Sequence, residues 1–296
     1  MTILVAGGTG FIGSNIVKEL VKRNHKVKAL VHTGANLSRI KHLNLEYANG
    51  DITDINSLDR PFTDVKIVYN VVGIIQETKR ANFDSIHVLG TKNLVEMSNK
   101  VGVEYFVHIS SLGTRPNAVS RYHQSKWKAE QSVVSSGIPY TIFRPSVVFG
   151  PDDEFINMLA RMIQYMPITP LIDSGGAKMQ PVYVGDLAKC VVDCLNNPQA
   201  KNKIFEIGGP ERFTMEEIVN LIKEHRGFKR LKLKIPYKFM YGISRTLENL
   251  FGKTPVSTDQ LIMLRENNIC DNSETEKVFK IKFTGLKEGL KFYWQN

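Results

Sequence analysis

Cysteine is scarce in this chain of 296 residues. Its three cysteines, Cys190, Cys194 and Cys270, are an odd number and follow no metal-ligand spacing. We therefore expect no disulfide framework and no metal site, and we interpret the cysteines as small buried hydrophobic residues. A redox or metal role is the alternative. Such sparing use of cysteine fits a reducing cytoplasmic location.

Long apolar runs are also missing. No run reaches the roughly 18 residues that a membrane span requires, and residues 1–5 already have the pattern of a strand, without a basic leader. We therefore expect no secretion signal. Hydrophobic residues make up 42% and charged residues 23%, which excludes disordered, collagen and coiled-coil classes. A chain of this length suits one large domain, with or without a smaller lobe.

Short apolar runs alternate with amphipathic stretches through the first two thirds of the chain, which is typical of βαβ units and a parallel sheet. Strands are predicted at 3–6, 27–31, 45–48, 66–72, 105–109, 140–143, 204–207 and 231–235, and helices at 11–23, 86–101, 120–136, 153–166, 184–196, 215–225 and 237–251. Residues 167–181 carry three prolines and Gly175-Gly176, so a loop or short hairpin is predicted there.

This order predicts an α/β protein with a doubly wound parallel sheet, the Rossmann arrangement, and a small C-terminal α+β substrate lobe. The predicted dinucleotide-binding domain is 1–150, with 182–208 returning to it. The smaller lobe comprises 151–181 and 209–296.

A glycine-rich loop connects the first strand to the first helix. Gly7, Gly10 and Gly13 have the spacing GxxGxxG, which suits a tight turn, close approach of a pyrophosphate, and packing of the helix on the strand. The helix N-terminus attracts the anion. The spacing predicts dinucleotide binding; a structural glycine turn is the alternative. Candidate contacts in this loop are Gly7, Thr9, Gly10, Phe11, Ile12 and Gly13.

The end of the second strand indicates which dinucleotide binds. Residues 30–33 at the end of this strand include no acidic residue to bond a ribose 2′-hydroxyl, whereas His32, Arg39 and Lys41 are close by. A cationic neighbourhood favours a 2′-phosphate, so NADP is favoured over NAD, although Arg39 and Lys41 could be solvated helix charges. Further candidate contacts follow the third strand, Asp51 and Ile52, and the fourth, Val71, Val72 and Gly73. Asp51 is predicted to bind the adenine amino group or to cap the next helix.

Tyr122 and Lys126 lie four residues apart on a predicted helix and therefore share a face. A cation about 4 Å away would lower a tyrosine pKa by close to three units at an effective dielectric of about 20. We therefore expect Tyr122 to titrate near neutrality and to act as the acid/base. Ser111, with Ser110 as the reserve, follows the fifth strand and could polarise a substrate carbonyl.

These motifs resemble the short-chain dehydrogenase/reductase superfamily, in its extended or atypical form. The resemblance is carried by AGGTGFIG at 6–13, YHQSK at 122–126 and FRPSVVFGP at 143–151. SSLGT at 110–114 and MPITPLIDSGGAKMQPVYVGDLA at 166–188 are similar to the branch around the dehydrogenase-like accessory subunit of respiratory complex I. The resemblance implies bound NAD(P), a Ser–Tyr–Lys triad of Ser111, Tyr122 and Lys126, and nicotinamide contacts from Tyr122, Lys126, Pro145 and Val148.

The formal net charge of +10 is concentrated near the C-terminus, because residues 223–253 carry nine Lys or Arg against Glu224 and Glu248. Apolar residues alternate with these charges. The segment is predicted to be a lid over the substrate pocket with a solvated basic back. The alternative is a patch on a membrane surface that handles a lipid-soluble substrate. We expect no nucleic-acid partner, because no such motif is present.

Two functions remain open from the sequence. The first is an NAD(P)-dependent oxidoreductase, or a related epimerase or dehydratase, acting on a small-molecule substrate. The second is a non-catalytic nucleotide-binding accessory or assembly protein. The expected location is the cytoplasm, or the periphery of the inner face of a membrane.

Overall fold

A computed structural model describes residues 1–173, 176–252 and 254–294. The strands are β1 (Thr2–Ala6), β2 (Lys26–Val31), β3 (Glu46–Asn49), β4 (Val65–Asn70), β5 (Tyr105–Ile109), β6 (Tyr140–Pro145), β7 (Val148–Phe149), β8 (Ile168–Ile172), β9 (Lys178–Met179), β10 (Val182–Tyr183), β11 (Lys203–Ile207), β12 (Phe213–Thr214) and β13 (Leu231–Ile235). The α-helices are α1 (Phe11–Lys22), α2 (Gly90–Val101), α3 (Arg121–Val134), α4 (Phe155–Tyr165), α5 (Val184–Asp193), α6 (Met215–Arg226), α7 (Tyr237–Phe251), α8 (Thr258–Leu264), α9 (Ser273–Phe279) and α10 (Leu286–Lys291).

Seven strands form one parallel sheet in the order β3-β2-β1-β4-β5-β6-β11. Alternate residues of β1 enter two different cores, as expected for a strand with helices on both faces. Ile3 and Val5 pack with residues of α1 and α5, whereas Leu4 packs with residues of α2 and α3. The predicted doubly wound parallel sheet is confirmed. Its strand order reverses between β1 and β4, which is where such folds bind ligands.

A third core holds the smaller lobe together, with α4, α6 and α10 around buried Ile163, Ile218 and Leu290. Short strand pairs border this core: β8 with β13, β9 with β12, and β7 with β10. Thr214 is the N-cap of α6 and forms a capping box with Glu217. All three cysteines are buried and unpaired, as expected from the sequence.

The prediction for residues 167–181 was wrong in part. β8 and β9 lie in this segment, but they do not form a hairpin with each other. β8 pairs with β13 and β9 with β12, because Thr169 and Leu171 alternate inward and are buried there. The predicted Gly175 turn lies outside the described residues.

Two other segments differ from the predicted pattern. The helix predicted at 86–101 begins as a π-helical turn, Asp84–Leu89, before α2. Phe279 of α9 belongs to the part of the chain assigned to the smaller lobe, yet its ring packs 5.0 Å from that of Phe205 in β11, between ring centroids. The division into domains therefore stays a prediction. Within the described ranges, no helix is both long and apolar enough to cross a bilayer.

We expect Phe205→Ala to lower the free energy of unfolding by about 3–5 kcal/mol. Phe205 is fully buried, and its ring also stacks 5.9 Å from that of Phe143, so its removal leaves a cavity between the sheet and α9. Urea unfolding measures the loss. Phe251→Ala is the control, since Phe251 is 67% exposed and should change stability by no more than about 0.5 kcal/mol. Equal losses in the two variants would contradict the packing of α9.

Candidate active site

The glycine loop between β1 and α1 is shaped by close backbone contacts. Gly7 has a φ of +83°, and a Cβ on it would lie 2.8 Å from the carbonyl carbon of Val71. A Cβ on Gly13 would lie 2.0 Å from the Gly7 carbonyl oxygen. Side chains are thus excluded at both positions, and the start of α1 is held against the loop and the end of β4.

The outer side of this loop can accept a dinucleotide. A Cβ on Gly10 would meet the Gly7 carbonyl oxygen at an ordinary 3.4 Å, so space remains in front of the loop. Gly10 is also the N-cap of α1 and has no side chain to cap the first turn. Free N–H groups and the positive end of the helix dipole suit a pyrophosphate. The loop residues therefore fit the expected cofactor.

The residues proposed to select the cofactor lie nearby but are partly engaged. His32 is exposed, and its Nδ1 lies 2.9 Å from the Thr33 carbonyl oxygen. The Arg39 guanidinium forms an ion pair with Asp152, with Nε 3.5 Å from Oδ2. The Asp51 carboxylate accepts hydrogen bonds from the Thr53 backbone and hydroxyl, both at 2.8 Å.

The two interpretations of Asp51 can now be compared with the local structure. The 3-10 helix Ile55–Leu58 is capped by Asp54 rather than by Asp51, so capping of the next helix is the wrong interpretation. The adenine role of Asp51 stays a prediction. Ile52 is buried against Gly90 and helps to hold the start of α2.

Tyr122, Lys126 and Ser111 meet at the ends of β4 and β5. Ser111 lies near enough to the Tyr122 hydroxyl to lower its pKa, and its Oγ donates to the Leu112 carbonyl at 3.3 Å, whereas the Ser110 hydroxyl is 3.3 Å from that of Thr114. Of the two candidate serines, Ser111 is therefore the one beside the tyrosine. Lys126 is buried, and its Nζ donates to the Ile109 carbonyl at 2.7 Å.

The expectation that Lys126 brings the pKa of Tyr122 near neutrality is wrong. Burial raises the pKa of Tyr122, the neighbouring Ser111 opposes that rise, and the charge of the Asp259 carboxylate adds to it. The lysine is itself affected, because burial lowers the pKa of Lys126 to about 8, against the charge of Glu130. Spacing alone could not reveal this, since the desolvation of both groups depends on tertiary packing.

The other predicted cofactor contacts are arranged along the same edge of the sheet. A Cβ on Gly73 would lie 3.8 Å from Lys126 Nζ, so the end of β4 approaches the lysine closely. The Pro145 carbonyl accepts from Leu112 N–H at 2.9 Å, which joins the ends of β5 and β6. Val148 begins β7 and pairs with Val182. The catalytic and binding roles of all these residues stay predictions.

His87 is a site residue that the sequence analysis missed. It lies in the π-helical turn and is buried, and its Nε2 accepts from Ile74 N–H at 3.0 Å. Its Nδ1 therefore carries the proton and donates to Ser125 Oγ at 2.8 Å. Ser125 Oγ in turn donates to the Tyr122 carbonyl at 2.7 Å. Burial, and next the charge of Lys126, lower the pKa of His87 to about 2, so the ring is neutral.

Asp259 is the second residue that was missed, and it reaches the site from the smaller lobe. Its carboxylate oxygens accept from Arg121 N–H at 2.8 Å and from Tyr122 N–H at 3.1 Å. The Ser120 hydroxyl donates to the same carboxylate at 3.1 Å. A negative charge at a helix N-terminus is favourable, so α8 is held directly on the helix that carries Tyr122.

Comparison with known proteins agrees with this geometry. The family model described as the NAD dependent epimerase/dehydratase family matches residues 3–208. The chain belongs to this family. Membership of this family means that the chain has an NAD-binding fold, as the glycine motif predicted.

Two relatives of this epimerase/dehydratase chain differ in kind. The chain is 30% identical over 261 residues to the mouse (Mus musculus) mitochondrial "NADH dehydrogenase [ubiquinone] 1 alpha subcomplex subunit 9", covering 85% of this chain and 67% of that one. It is 33% identical over 259 residues to a putative UDP-glucose 4-epimerase of Methanocaldococcus jannaschii, covering 77% and 83%. The resemblance to the branch around the complex I subunit is thereby confirmed.

The fold matches solved structures over nearly the whole chain. The UDP-glucose 4-epimerase of Thermus thermophilus, solved in complex with NAD, superposes with a TM-score of 0.78 at 21% identity, covering 98% of this chain and 97% of that one. Similarity at this level of identity concerns the fold alone.

We expect Ser125→Ala to lower the free energy of unfolding by about 1–3 kcal/mol, because it leaves the buried His87 Nδ1–H without its acceptor. Thermal or urea unfolding measures the change. Ser132→Ala on the same helix is the matched control, since the half-buried Ser132 donates to the Lys128 backbone carbonyl at 3.3 Å and supports no buried histidine. If both variants were equally stable, His87 would not depend on Ser125.

Proposed function

We propose that the protein is an NAD(P)-dependent oxidoreductase, or a related epimerase or dehydratase, in which Tyr122 is the acid/base. The observation that carries the proposal is the placement of Ser111 next to Tyr122, with Lys126 buried on the Ile109 carbonyl at the same sheet edge as the glycine loop. When bound, the nicotinamide would supply the group that accepts or donates a hydride. The residues of the glycine loop and the end of β4 would hold the cofactor.

The chain's own residues suggest how a proton moves. The raised pKa keeps Tyr122 protonated at neutral pH, so this hydroxyl is ready to donate its proton to a carbonyl oxygen. Ser111 can donate a second hydrogen bond to the same oxygen and fix its position. Lys126 uses one of its three protons on Ile109 O, which leaves donors for the ribose hydroxyls.

Replacing Tyr122 by Phe should lower turnover at least about 100-fold, which is the usual lower limit for loss of a general acid. Nicotinamide absorbance and product analysis, with carbonyl compounds and nucleotide sugars as test substrates, give the rate. NAD(P)H affinity should change little, because the ring remains in place. Tyr165→Phe is the control, since this exposed tyrosine lies on α4. Undiminished turnover of Tyr122→Phe would reject the assigned role.

NADP is the cofactor we propose over NAD. The support is the lack of an acidic residue at the end of β2, together with the exposed His32 and the nearby Arg39. Arg39 would exchange its contact with Asp152, of which both side chains are over a third exposed, for a 2′-phosphate. Exposed ion pairs are weak, so this exchange costs little.

NADPH should raise the melting temperature more than NADH at equal concentration, because binding to the folded state stabilises it by mass action. Arg39→Gln should weaken NADPH binding about tenfold or more and leave NADH binding unchanged. Arg60→Gln, at another exposed arginine, is the control. If NADH gave the larger shift in the unmodified protein, the preference for NADP would be wrong.

A second candidate function is a nucleotide-binding accessory or assembly protein without turnover. It is favoured by the 30% identity with the mouse protein, whose name describes a subunit of NADH dehydrogenase. In that case a Tyr122→Phe variant would still replace the protein in a cell that lacks it, whereas a variant without the glycine loop would not. Expression of each variant in a strain lacking the protein separates the two functions.

A further inference from the structure

The outer face of the β8–β13 ribbon is apolar and exposed. The parallel register pairs Leu231 with Ile168 and Leu233 with Pro170, so these side chains share a face. Leu231 is 76%, Leu233 55% and Ile168 43% exposed. Thr169 and Leu171 point to the opposite face and are buried. A strand pair in a soluble domain normally buries its apolar row, and this one presents it to the outside.

The lysines of β13 explain why the ribbon has this orientation. Lys232 forms an ion pair with Glu216 of α6 and donates to Asn220 Oδ1 at 3.2 Å. Lys234 Nζ lies 3.5 Å from the second oxygen of Glu216. These contacts hold the charged side of the strand on α6, so Leu231 and Leu233 face outward.

The next helix continues this pattern. Pro236 joins β13 to α7, whose exposed apolar residues lie at helical spacing, with Phe239 at 63%, Ile243 at 38% and Leu250 at 68% exposure. Ser244 is buried on the side toward the lobe. We call Leu231, Leu233, Ile168, Phe239, Ile243, Leu250 and Phe251 the outer apolar face.

Positive charge accompanies the outer apolar face. Residues 223–253 carry a net charge of +7, including Lys253 outside the described residues. Their two acidic residues are engaged elsewhere. Glu224 pairs with Lys287 at 3.2 Å, and Glu248 accepts from Thr258 N–H and hydroxyl at 2.8 Å. Exposed Lys229, Lys238 and Arg245 are interspersed with the apolar side chains.

We propose that the outer apolar face binds the surface of an anionic lipid bilayer. Apolar side chains inserted at the headgroup boundary, with cations at the level of the anionic headgroups, are the two attractions that hold interfacial segments on membranes. A second copy of the chain fits less well, because it would bring two strongly positive surfaces together. A nucleic acid would leave the exposed leucines and phenylalanines without a partner.

Co-sedimentation of the full chain with lipid vesicles tests this proposal. Binding should be at least tenfold stronger to vesicles of phosphatidylcholine with phosphatidylglycerol than to phosphatidylcholine alone, and high salt should weaken it, because surface charge is screened. Equal binding to both vesicles, or to neither, would overturn the proposal.

Two pairs of variants locate the surface. Leu233→Ser with Phe239→Ser should reduce vesicle binding at least tenfold, whereas Val119→Ser with Val134→Ser, at exposed positions near and on α3, should not. Lys238→Glu with Arg245→Glu should abolish the preference for anionic vesicles. Lys22→Glu with Lys92→Glu, which changes the net charge equally, should leave it.

Melting curves of each variant show that the protein remains folded, so that lost binding is not lost structure. An equal loss of vesicle binding in the control pairs would mean that net charge or non-specific hydrophobic adsorption drives binding. That result would overturn the assignment to this face. A dimer on size exclusion that Leu233→Ser with Phe239→Ser converts to a monomer would assign the face to a second copy instead. NAD(P)H binding is independent of these outcomes.

Discussion

The close approach of Gly7 and Gly13 is the contact on which the rest of the molecule depends. The separation between an added Gly13 Cβ and the Gly7 carbonyl oxygen would be 2.0 Å, so only glycine allows α1 to start where it does. That position places the positive end of α1 at the point where the strand order reverses. The space in front of Gly10, and hence the whole cofactor interpretation, follows from this one steric requirement.

Helix α3, which carries Tyr122, is held in a different way, by polar contacts from two sides. On the sheet side, His87 and Ser125 connect the end of β4 to the backbone of Tyr122. On the side of the smaller lobe, the Asp259 carboxylate binds the first N–H groups of the helix. The backbone of Tyr122 is thus fixed by the chain's own polar groups on both sides.

Much of this architecture could be predicted from the sequence. The strand and helix pattern of the first two thirds, the glycine loop and the Tyr122–Lys126 spacing are local features, and local periodicity records them. The ribbon of β8 and β13 could not be predicted, because its two strands are some sixty residues apart in the sequence and β8 contains a proline. Pairing between distant segments depends on tertiary packing.

The electrostatics of the site could not be predicted from the sequence either, because they also depend on contacts between distant segments. Asp259 is 137 residues from Tyr122 in the chain, and nothing in its neighbourhood signals a contact with α3. His87 does occupy an apolar-face position, with Phe83 four residues before it and Leu94 seven after it, and that placement could have identified it. The pKa of Tyr122 could not be inferred from the spacing to Lys126, because burial outweighs the charge that the motif suggests.

The contact between α8 and α3 couples the position of α8 to the acidity of Tyr122. The carboxylate that adds to the raised pKa of Tyr122 belongs to α8, so any movement of α8 away from α3 would withdraw that charge. Without that charge the pKa of Tyr122 would be lower, while Ser120 would still cap α3 through His123 N–H. The pKa of Tyr122 therefore depends on whether α8 is packed on the N-terminus of α3.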